Sequence, residues 1–276
     1  MTTPTQQTAH VQYTGGDPAA GLTELRTVIE HAITNQPRSL QTRIGPSEIG
    51  TPCDHCLAAK LAGWAKNQDG IPWLPWIGTA VHAQLEDVIR AHDNATYPRN
   101  ARRFIAEGKT MVGHIGGREI WGSTDLLDLF IGMTVDWKIV GETTLRAARR
   151  HGPSEVYRVQ ADLYAKGWND AGYRVDYVAI AYLPRNAVTL DQAVWWSAPH
   201  DRGRAERALE RANQLHANLT ALATLGDAAV TAWIGSLPRA TGCFDCARYP
   251  DRPAGITAPG HTPGHELDGL IPTIAA

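Results

Sequence analysis

The sequence lacks several features that mark large classes of proteins. No apolar run reaches the roughly 20 residues that a bilayer-spanning helix needs, so we expect no membrane partner. The polar N-terminus lacks the basic and apolar regions of a secretory signal. We therefore expect a cytoplasmic protein, of a bacterium or a phage-infected cell. The net charge of −2 offers no overall basic surface, so any binding of nucleic acid must rely on local positive charge.

Cysteine is scarce, and its spacing is informative. The four cysteines form two pairs, Cys53-x-x-Cys56 and Cys243-x-x-Cys246, with none left over. In a reducing compartment, paired CxxC units favour a metal or cluster site over disulfides. Four thiolates suit a tetrahedral Zn²⁺ or a 4Fe–4S cluster equally well. Either group would join the two ends of the chain.

Hydrophobic periodicity divides the chain into helical, then β, then mixed segments. We expect a disordered tail at 1–20, a flexible tail at 251–276, and a single folded domain over 21–250. Helical spacing predicts helices at 21–35, 57–64, 77–92, 153–171 and 200–225. Short β-type runs predict strands at 102–108, 110–117, 118–130, 133–140, 174–184 and 188–196. This order indicates an α/β fold with a central mixed sheet flanked by helices.

The predicted strand 133–140, MTVDWKIV, carries charges where burial is expected. A period of two places Asp136 and Lys138 on one face and Trp137 on the other. An antiparallel pairing with the preceding strand would bring Asp125 near Asp136. Two close carboxylates raise each other's pKa unless a divalent cation keeps both ionised. A metal ion and an anionic substrate near Lys138 would therefore offset the cost of burial.

Two predicted helices carry further candidate side chains. His82 and Glu86 lie one turn apart on helix 77–92, and both are plausible ligands for Mg²⁺ or Mn²⁺. We interpret Glu86 as a solvated or outer residue rather than a direct ligand. On helix 153–171, Gln160 and Tyr164 present an amide and a phenol side by side, which suits hydrogen bonds to a phosphate or a base.

Four short motifs follow one another along the chain. They are GxxxH (Gly78 to His82), GxxD (Gly122 to Asp125), DxK (Asp136 to Lys138) and QxxxY (Gln160 to Tyr164). Their order and spacing over residues 45–250 resemble the PD-(D/E)XK nuclease superfamily. Within it they resemble the RecB-type exonucleases, which include AddB and the CRISPR-associated Cas-four exonucleases. The resemblance implies a restriction-endonuclease-like core and hydrolysis of DNA phosphodiesters with the help of Mg²⁺ or Mn²⁺.

The same resemblance implies a role for each motif residue. The implied metal ligands are His82, Asp125, Asp136 and the main-chain carbonyl of Trp137. Lys138 is implied to orient or activate the attacking water, and Gln160 and Tyr164 to help hold DNA. Members of this family often carry an iron–sulfur cluster, usually with one cysteine before the GxxxH helix and three near the C-terminus. The resemblance therefore favours 4Fe–4S over Zn²⁺ here, despite the two-plus-two arrangement, and implies a helical cap tied by the four cysteines.

Basic and aromatic side chains supply candidate DNA contacts. Arg146, Arg149 and Arg150 follow the DxK strand, where a phosphate backbone would leave the metal site. They could equally form a solvated face, as could a second cluster of Arg99, Arg102 and Arg103. Trp73 and Trp76 could stack on unpaired bases, although we favour core packing. We regard His261 and His265 in the tail as incidental.

The sequence thus predicts a metal-dependent DNA exonuclease that acts on single-stranded or frayed ends in recombination, repair or CRISPR-type adaptation. One alternative is a structure-specific endonuclease with the same residues. A second is a non-catalytic, zinc-held DNA-binding module. Because the chain has no GxxxxGK[ST] motif, any DNA unwinding would need a helicase or recombination partner.

Overall fold

The structure is a computed structural model that describes residues 16–35, 44–67, 70–243 and 245–249. These residues fall into two compact units, one formed by 16–35 with 70–73 and the other by the remainder. The single folded domain expected over 21–250 stays a prediction. The tails 1–15 and 251–276, with His261 and His265, lie outside the described residues. None of the described helices combines the length and apolar character needed to cross a bilayer.

The smaller unit contains helix α1, Pro18–Thr34. Its start is set by Asp17, whose side chain accepts a hydrogen bond from the Ala19 N–H at 3.0 Å, and by proline at the first helical position. The predicted helix is confirmed, but it begins earlier, so residues 18–20 are helical rather than disordered. Most of the apolar stripe on this helix is exposed to solvent, namely Leu22, Leu25, Val28 and Ile29.

The larger unit is built around a five-stranded sheet. Its strands are β1 (Phe104–Ile115), β2 (Arg118–Asp128), β3 (Met133–Val140), β4 (Tyr177–Pro184) and β5 (Val194–Pro199). Its helices are α2 (Pro46–Ile49), α3 (Asp54–Leu61), α4 (Trp73–Thr96), α5 (Glu142–His151), α6 (Glu155–Asp170), α7 (Arg202–Ala223) and α8 (Asp227–Ser236). Short 3₁₀ turns lie at Leu190–Gln192 and Cys246–Arg248. The α/β class with a mixed sheet flanked by helices is confirmed.

The strand order is β1-β2-β3-β4-β5, and β3 lies at the centre. Strands β1, β2 and β3 form an antiparallel meander, β3 and β4 pair in parallel, and β5 returns antiparallel to β4. The parallel step requires a crossover, which α5 and α6 supply. Where two strands were predicted at 102–108 and 110–117, the chain forms the single strand β1. Helices α2, α5 and α8 were not predicted.

The two faces of the sheet bury different side chains. On one face, Val135 belongs to a buried cluster against which Leu85 and Ile89 of α4 pack. On the other, Val140 lies in a cluster with side chains of α5 and α6. Of the predicted α4 stripe, Val88 is exposed instead. The period-two alternation of β3 therefore aims Asp136 and Lys138 at the face that α6 covers.

A buried carboxylate ties α6 to α7. Asp162 is fully buried and accepts hydrogen bonds from His200 Nδ1 at 3.1 Å, the Asp201 N–H at 2.9 Å and Arg204 Nη1 at 2.6 Å. These donors compensate its loss of hydration. The contact fixes the start of α7 against the helix that covers the sheet.

We expect Asp162→Asn to lower the free energy of unfolding by about 3 kcal/mol, because it removes one partner of a buried ion pair and leaves the other charge uncompensated. The matched control is Asp170→Asn on the same helix, whose carboxylate pairs with Lys166 and Arg202 near the surface. That change should cost about 1 kcal/mol or less. Urea unfolding measures both, and equal effects would contradict the buried role of Asp162.

Candidate metal-dependent active site

Asp125 and Asp136 meet where the β2–β3 ladder ends. The paired residues of β2 and β3 end with Leu126 opposite Val135. Asp125 and Asp136 are the next residues on the two strands beyond this pair. Asp125 Oδ2 accepts a hydrogen bond of 2.6 Å from the main-chain N–H of Trp137. The prediction that these two residues are neighbours on adjacent strands is confirmed. At this point a hydrogen bond to a side chain replaces the backbone hydrogen bonds between the strands. A ligand role for the Trp137 carbonyl stays a prediction.

Asp136 is 5% exposed, and its charge is only partly compensated. Lys138 Nζ lies 2.7 Å from Asp136 Oδ2, as expected for two residues on one face of a strand. Among the described residues, however, Oδ2 has no hydrogen bond of acceptable geometry. Burial, opposed by Lys138 and assisted by the charge of Asp125, raises the pKa of Asp136 to about 6. The site is thus short of positive charge.

Helix α4 brings His82 to the same place. His82 Nδ1 lies 3.2 Å from Asp125 Oδ1 and 4.0 Å from Oε1 of a glutamate, Glu107. Burial lowers the pKa of His82, but the hydrogen bond to Asp125 and the nearby negative charges outweigh it and raise the pKa overall. The imidazole therefore lies in a negative field that would equally attract a metal ion.

Glu107 is the site residue that the sequence did not indicate. It lies on β1 between the pairs Ala106–Leu126 and Gly108–Thr124, opposite Asp125. Its φ of 51° is uncommon for a residue with a side chain and costs about 1–2 kcal/mol. Backbone strain of this kind concentrates at functional sites. The unusual conformation is what allows the Glu107 carboxylate to join His82 and Asp125.

The donor set fits a divalent ion of the Mg²⁺ or Mn²⁺ class. One nitrogen or oxygen each of His82, Glu107 and Asp125 lies within 4.8 Å of the others. An octahedral ion with ligand bonds of about 2.1 Å separates adjacent ligands by about 3 Å and opposite ones by about 4.2 Å, which brackets the 3.2 and 4.0 Å found here. Three carboxylates, those of Glu107, Asp125 and Asp136, face the single ammonium of Lys138, which leaves two negative charges for a divalent ion.

Gln160 and Tyr164 lie behind the lysine rather than on the helix surface. Both are buried, and Lys138 Nζ donates to Gln160 Oε1 at 2.9 Å. Gln160 Nε2 lies 3.5 Å from the Tyr164 hydroxyl, and the Lys138 ammonium sits 4.8 Å from the centroid of the Tyr157 ring. Gln160 of the predicted QxxxY pair therefore contacts Lys138 on the DxK strand, and a role of the pair in holding DNA stays a prediction.

Several other predicted residues lie away from the carboxylates. Glu86 Oε1 pairs with Arg90 at 2.6 Å, as expected for a residue that is not a ligand. Arg90 also donates to the Ala106 carbonyl at 2.9 Å, next to Glu107. Trp73 is 50% exposed, so the preferred interpretation of core packing is wrong for this residue. Trp76 is partly buried.

The arginine cluster that contains Arg102 and Arg103 is largely structural. Arg102 pairs with Asp93 at 3.3 Å, and Arg103 pairs with the buried Asp128 at 2.6 Å. Arg103 also lies over the Phe104 ring. These contacts anchor the start of β1, so they give Arg102 and Arg103 a structural role without any DNA.

The arginine cluster of Arg146, Arg149 and Arg150 lies on α5. Arg146 is paired with Glu142 at 3.7 Å, and Arg149 Nη2 donates to the Gln192 carbonyl at 2.9 Å. Arg150 is exposed near the end of the helix. The cluster directly follows β3, and a role in binding DNA stays a prediction.

The four cysteines lie together in the structure. Their sulfur contacts join residues that are 187 to 193 positions apart in the sequence. Burial alone would raise the pKa of Cys53, but hydrogen bonds from the backbone of Cys56 and Ala240 lower it to about 7. Burial and the neighbouring sulfurs raise the pKa of Cys56 above its usual range. A soft cation that binds all four sulfurs would ionise each thiol, so this cluster is a second candidate metal site.

A cavity of about 290 Å³ lies beside the cysteines rather than over the carboxylates. Lys60 and Lys66 line it, yet their ammonium groups lie 3.2 and 3.8 Å from Glu48 Oε1. Lys66 also lies 3.5 Å from Asp245. Because these cations are already neutralised, the cavity is a poor binding place for a phosphate.

Comparison with known proteins yields distant structural likeness only. No protein-family model matches the sequence, and neither does any curated protein. The crystal structure of SSO0001 matches at a TM-score of 0.40 and 14% identity, over 74% of this chain and 88% of that one. The structure of an alkaline exonuclease from Laribacter hongkongensis matches at a TM-score of 0.40 and 13% identity, over 65% of this chain and 89% of that one. A protein from Eubacterium rectale that is described as an exonuclease matches at a TM-score of 0.37 and 13% identity, over 66% of this chain and 81% of that one. Likeness this distant carries no argument about function.

We expect Glu107→Gly and Glu107→Gln to stabilise the metal-free protein while weakening Mn²⁺ binding. Both remove a like charge, and glycine also relieves the positive φ, which is worth about 1 kcal/mol. Loss of a ligand should weaken Mn²⁺ binding about tenfold or more. Urea unfolding in EDTA and titration calorimetry measure the two effects, with the exposed Asp87→Asn as control. Destabilisation together with unchanged Mn²⁺ affinity would make Glu107 purely structural.

Proposed function

We propose that this protein is a metal-dependent nuclease of the PD-(D/E)XK type that hydrolyses phosphodiester bonds in DNA. The observation that carries the proposal is the buried Asp136 carboxylate, which lies 2.7 Å from the Lys138 ammonium and beside the charges of a second carboxylate, Asp125, and of His82. A buried carboxylate in an apolar strand lowers the stability of the fold unless other groups compensate its charge. Binding of a divalent ion and a phosphate would provide this compensation.

The position of each residue in the site suggests its role in the reaction. His82, Glu107, Asp125 and Asp136 would hold a Mg²⁺ or Mn²⁺ ion, which in such sites lowers the pKa of water and stabilises charge on phosphate. Asp125 is fixed by the Trp137 amide, so its orientation does not depend on the ion. Lys138 lies beside Asp136 and can donate to an anionic oxygen or orient a water molecule.

The substrate we propose is DNA with single-stranded or frayed ends, degraded exonucleolytically. The four ordered motifs support this assignment, since they resemble the RecB-type exonucleases. The Arg150 side chain and its neighbours on α5 extend from the end of the DxK strand, where they could contact backbone phosphates. Unwinding of duplex DNA would come from a helicase or recombination partner. We propose recombination, repair or CRISPR-type adaptation as the setting.

Digestion of end-labelled linear and covalently closed circular single-stranded DNA tests the proposal. We expect wild-type protein to degrade linear DNA with Mn²⁺ or Mg²⁺ and not with EDTA. Asp136→Asn should lose about 10²-fold or more of this activity, since it removes a group that acts on the transition state. Asp87→Asn, an exposed carboxylate on α4, is the matched control and should behave as wild type.

The same digestion separates the alternatives. Cleavage of the circles by wild type alone would support a structure-specific endonuclease with the same residues. Equal behaviour of wild type and Asp136→Asn would contradict catalysis at this site. Metal-independent DNA binding without any cleavage would instead favour a non-catalytic binding module.

We further expect Gln160→Leu to lower kcat about tenfold or more while leaving Mn²⁺ affinity within about twofold, because Gln160 holds Lys138 and not the ion. Gln214→Leu on the exposed face of α7 is the control. Single-turnover rates and titration calorimetry measure the two quantities. A matching loss of Mn²⁺ affinity would show that Gln160 acts on the metal ligands instead.

A further inference from the structure

Three sulfur–sulfur contacts connect the four cysteines. Cys56 Sγ lies 3.7 Å from Cys243 Sγ and 3.6 Å from Cys246 Sγ, and Cys246 Sγ lies 3.4 Å from Cys53 Sγ. These three contacts link all four sulfurs into one continuous group. A single ion with four bonds of about 2.3 Å to sulfur gives sulfur–sulfur edges of about 3.8 Å in a tetrahedron. The three sulfur–sulfur distances found here, 3.4 to 3.7 Å, are close to this edge length.

The same spacing does not fit the iron–sulfur cluster that the sequence favours. In a 4Fe–4S cluster each thiolate binds a different iron at the outer corner of an eight-atom cube, which holds the thiolates apart. In a 2Fe–2S cluster the thiolates form two separated pairs. Here the contact between Cys56 and Cys246 bridges the two close pairs, so neither arrangement has room between the sulfurs.

A fifth side chain, His55, competes for the same position. It is fully buried, and its Nδ1 lies 3.8 Å from Cys56 Sγ. One of its ring nitrogens is within 4.8 Å of the sulfurs of Cys53, Cys56 and Cys246. A site of three thiolates and one imidazole is therefore a geometric alternative to four thiolates.

The contact of His55 with Arg239 decides between the two. Arg239 Nη2 lies 3.0 Å from His55 Nε2. Because a guanidinium can only donate, Nε2 must accept, and the ring proton of the neutral imidazole is then on Nδ1. A protonated nitrogen cannot bind a metal, but it can donate to a thiolate. His55 is thus an N–H···S donor to Cys56, and Cys243 is left as the fourth ligand.

We propose that Cys53, Cys56, Cys243 and Cys246 bind a single tetrahedral Zn²⁺, and that His55, oriented by Arg239, stabilises the Cys56 thiolate from outside the ligand set. Four soft thiolates in tetrahedral geometry suit Zn²⁺, which also binds such sites more tightly than Fe²⁺ does. The ion joins the N-terminus of α3 to the C-terminal segment of the larger unit. It is a structural clasp with no open coordination position.

Metal content tests the proposal without reference to nuclease activity. The full chain, expressed with both iron and zinc present and purified without oxygen, is examined by elemental analysis, sulfide assay and visible absorption. We expect about one zinc per chain, no sulfide and no visible band. Iron with equimolar sulfide, a single iron without sulfide, or no stoichiometric metal would each overturn the proposal.

Cobalt substitution tests the ligand assignment. Thiolate-to-cobalt charge transfer grows with the number of bound thiolates, so wild type should show the band of four. His55→Ala should keep about one Co²⁺ per chain and bind it about 10- to 100-fold more weakly. Cys243→Ala should lose the four-thiolate spectrum and bind more weakly still. The opposite pattern, with Co²⁺ lost in His55→Ala and an unchanged band in Cys243→Ala, would overturn the four-thiolate assignment.

Discussion

The buried charge on β3 is the constraint from which the rest of the site follows. Asp136 lies inside the molecule, where a carboxylate costs several kcal/mol unless other groups compensate it. Lys138 alone does not suffice, because Asp125 and Glu107 bring further negative charge to the same place. A divalent ion, as proposed above, would compensate this excess of negative charge. The strained backbone of Glu107 is a cost, and the hydrogen bond from the Trp137 amide fixes Asp125 beside it.

Helix α6 connects this site to the cysteine cluster. Gln160 holds the lysine on the sheet side, and the adjoining Tyr164 lies in the same buried cluster as Cys53 and Cys56. The helix is further fixed to α7 through the fully buried Asp162. A metal clasp on the cysteines would therefore stabilise the packing of the helix that orients Lys138. The two candidate metal sites have different chemistry, carboxylate oxygens and an imidazole nitrogen in one and soft sulfur atoms in the other, so they would not need to compete for the same ion.

The sequence predicted the parts of the site that depend on short-range periodicity. Alternation along β3 placed Asp136 and Lys138 together, and the turn at Gly132 brought Asp125 beside them. Glu107 could not be found in this way, because the β1–β2 register shifts between Met111 and Gly113. Without that irregularity, the hairpin would place Gly108 opposite Asp125. The burial of Gln160, the pairing of Arg103 and the spacing of the sulfurs likewise depend on tertiary contacts that a local pattern does not contain.

The most direct test of the central claim is an anomalous difference map from crystals grown with Mn²⁺. We expect a manganese peak within bonding distance of His82, Glu107, Asp125 and Asp136. A fully ordered site without manganese at a saturating concentration would contradict the claim that a divalent ion compensates the buried charge.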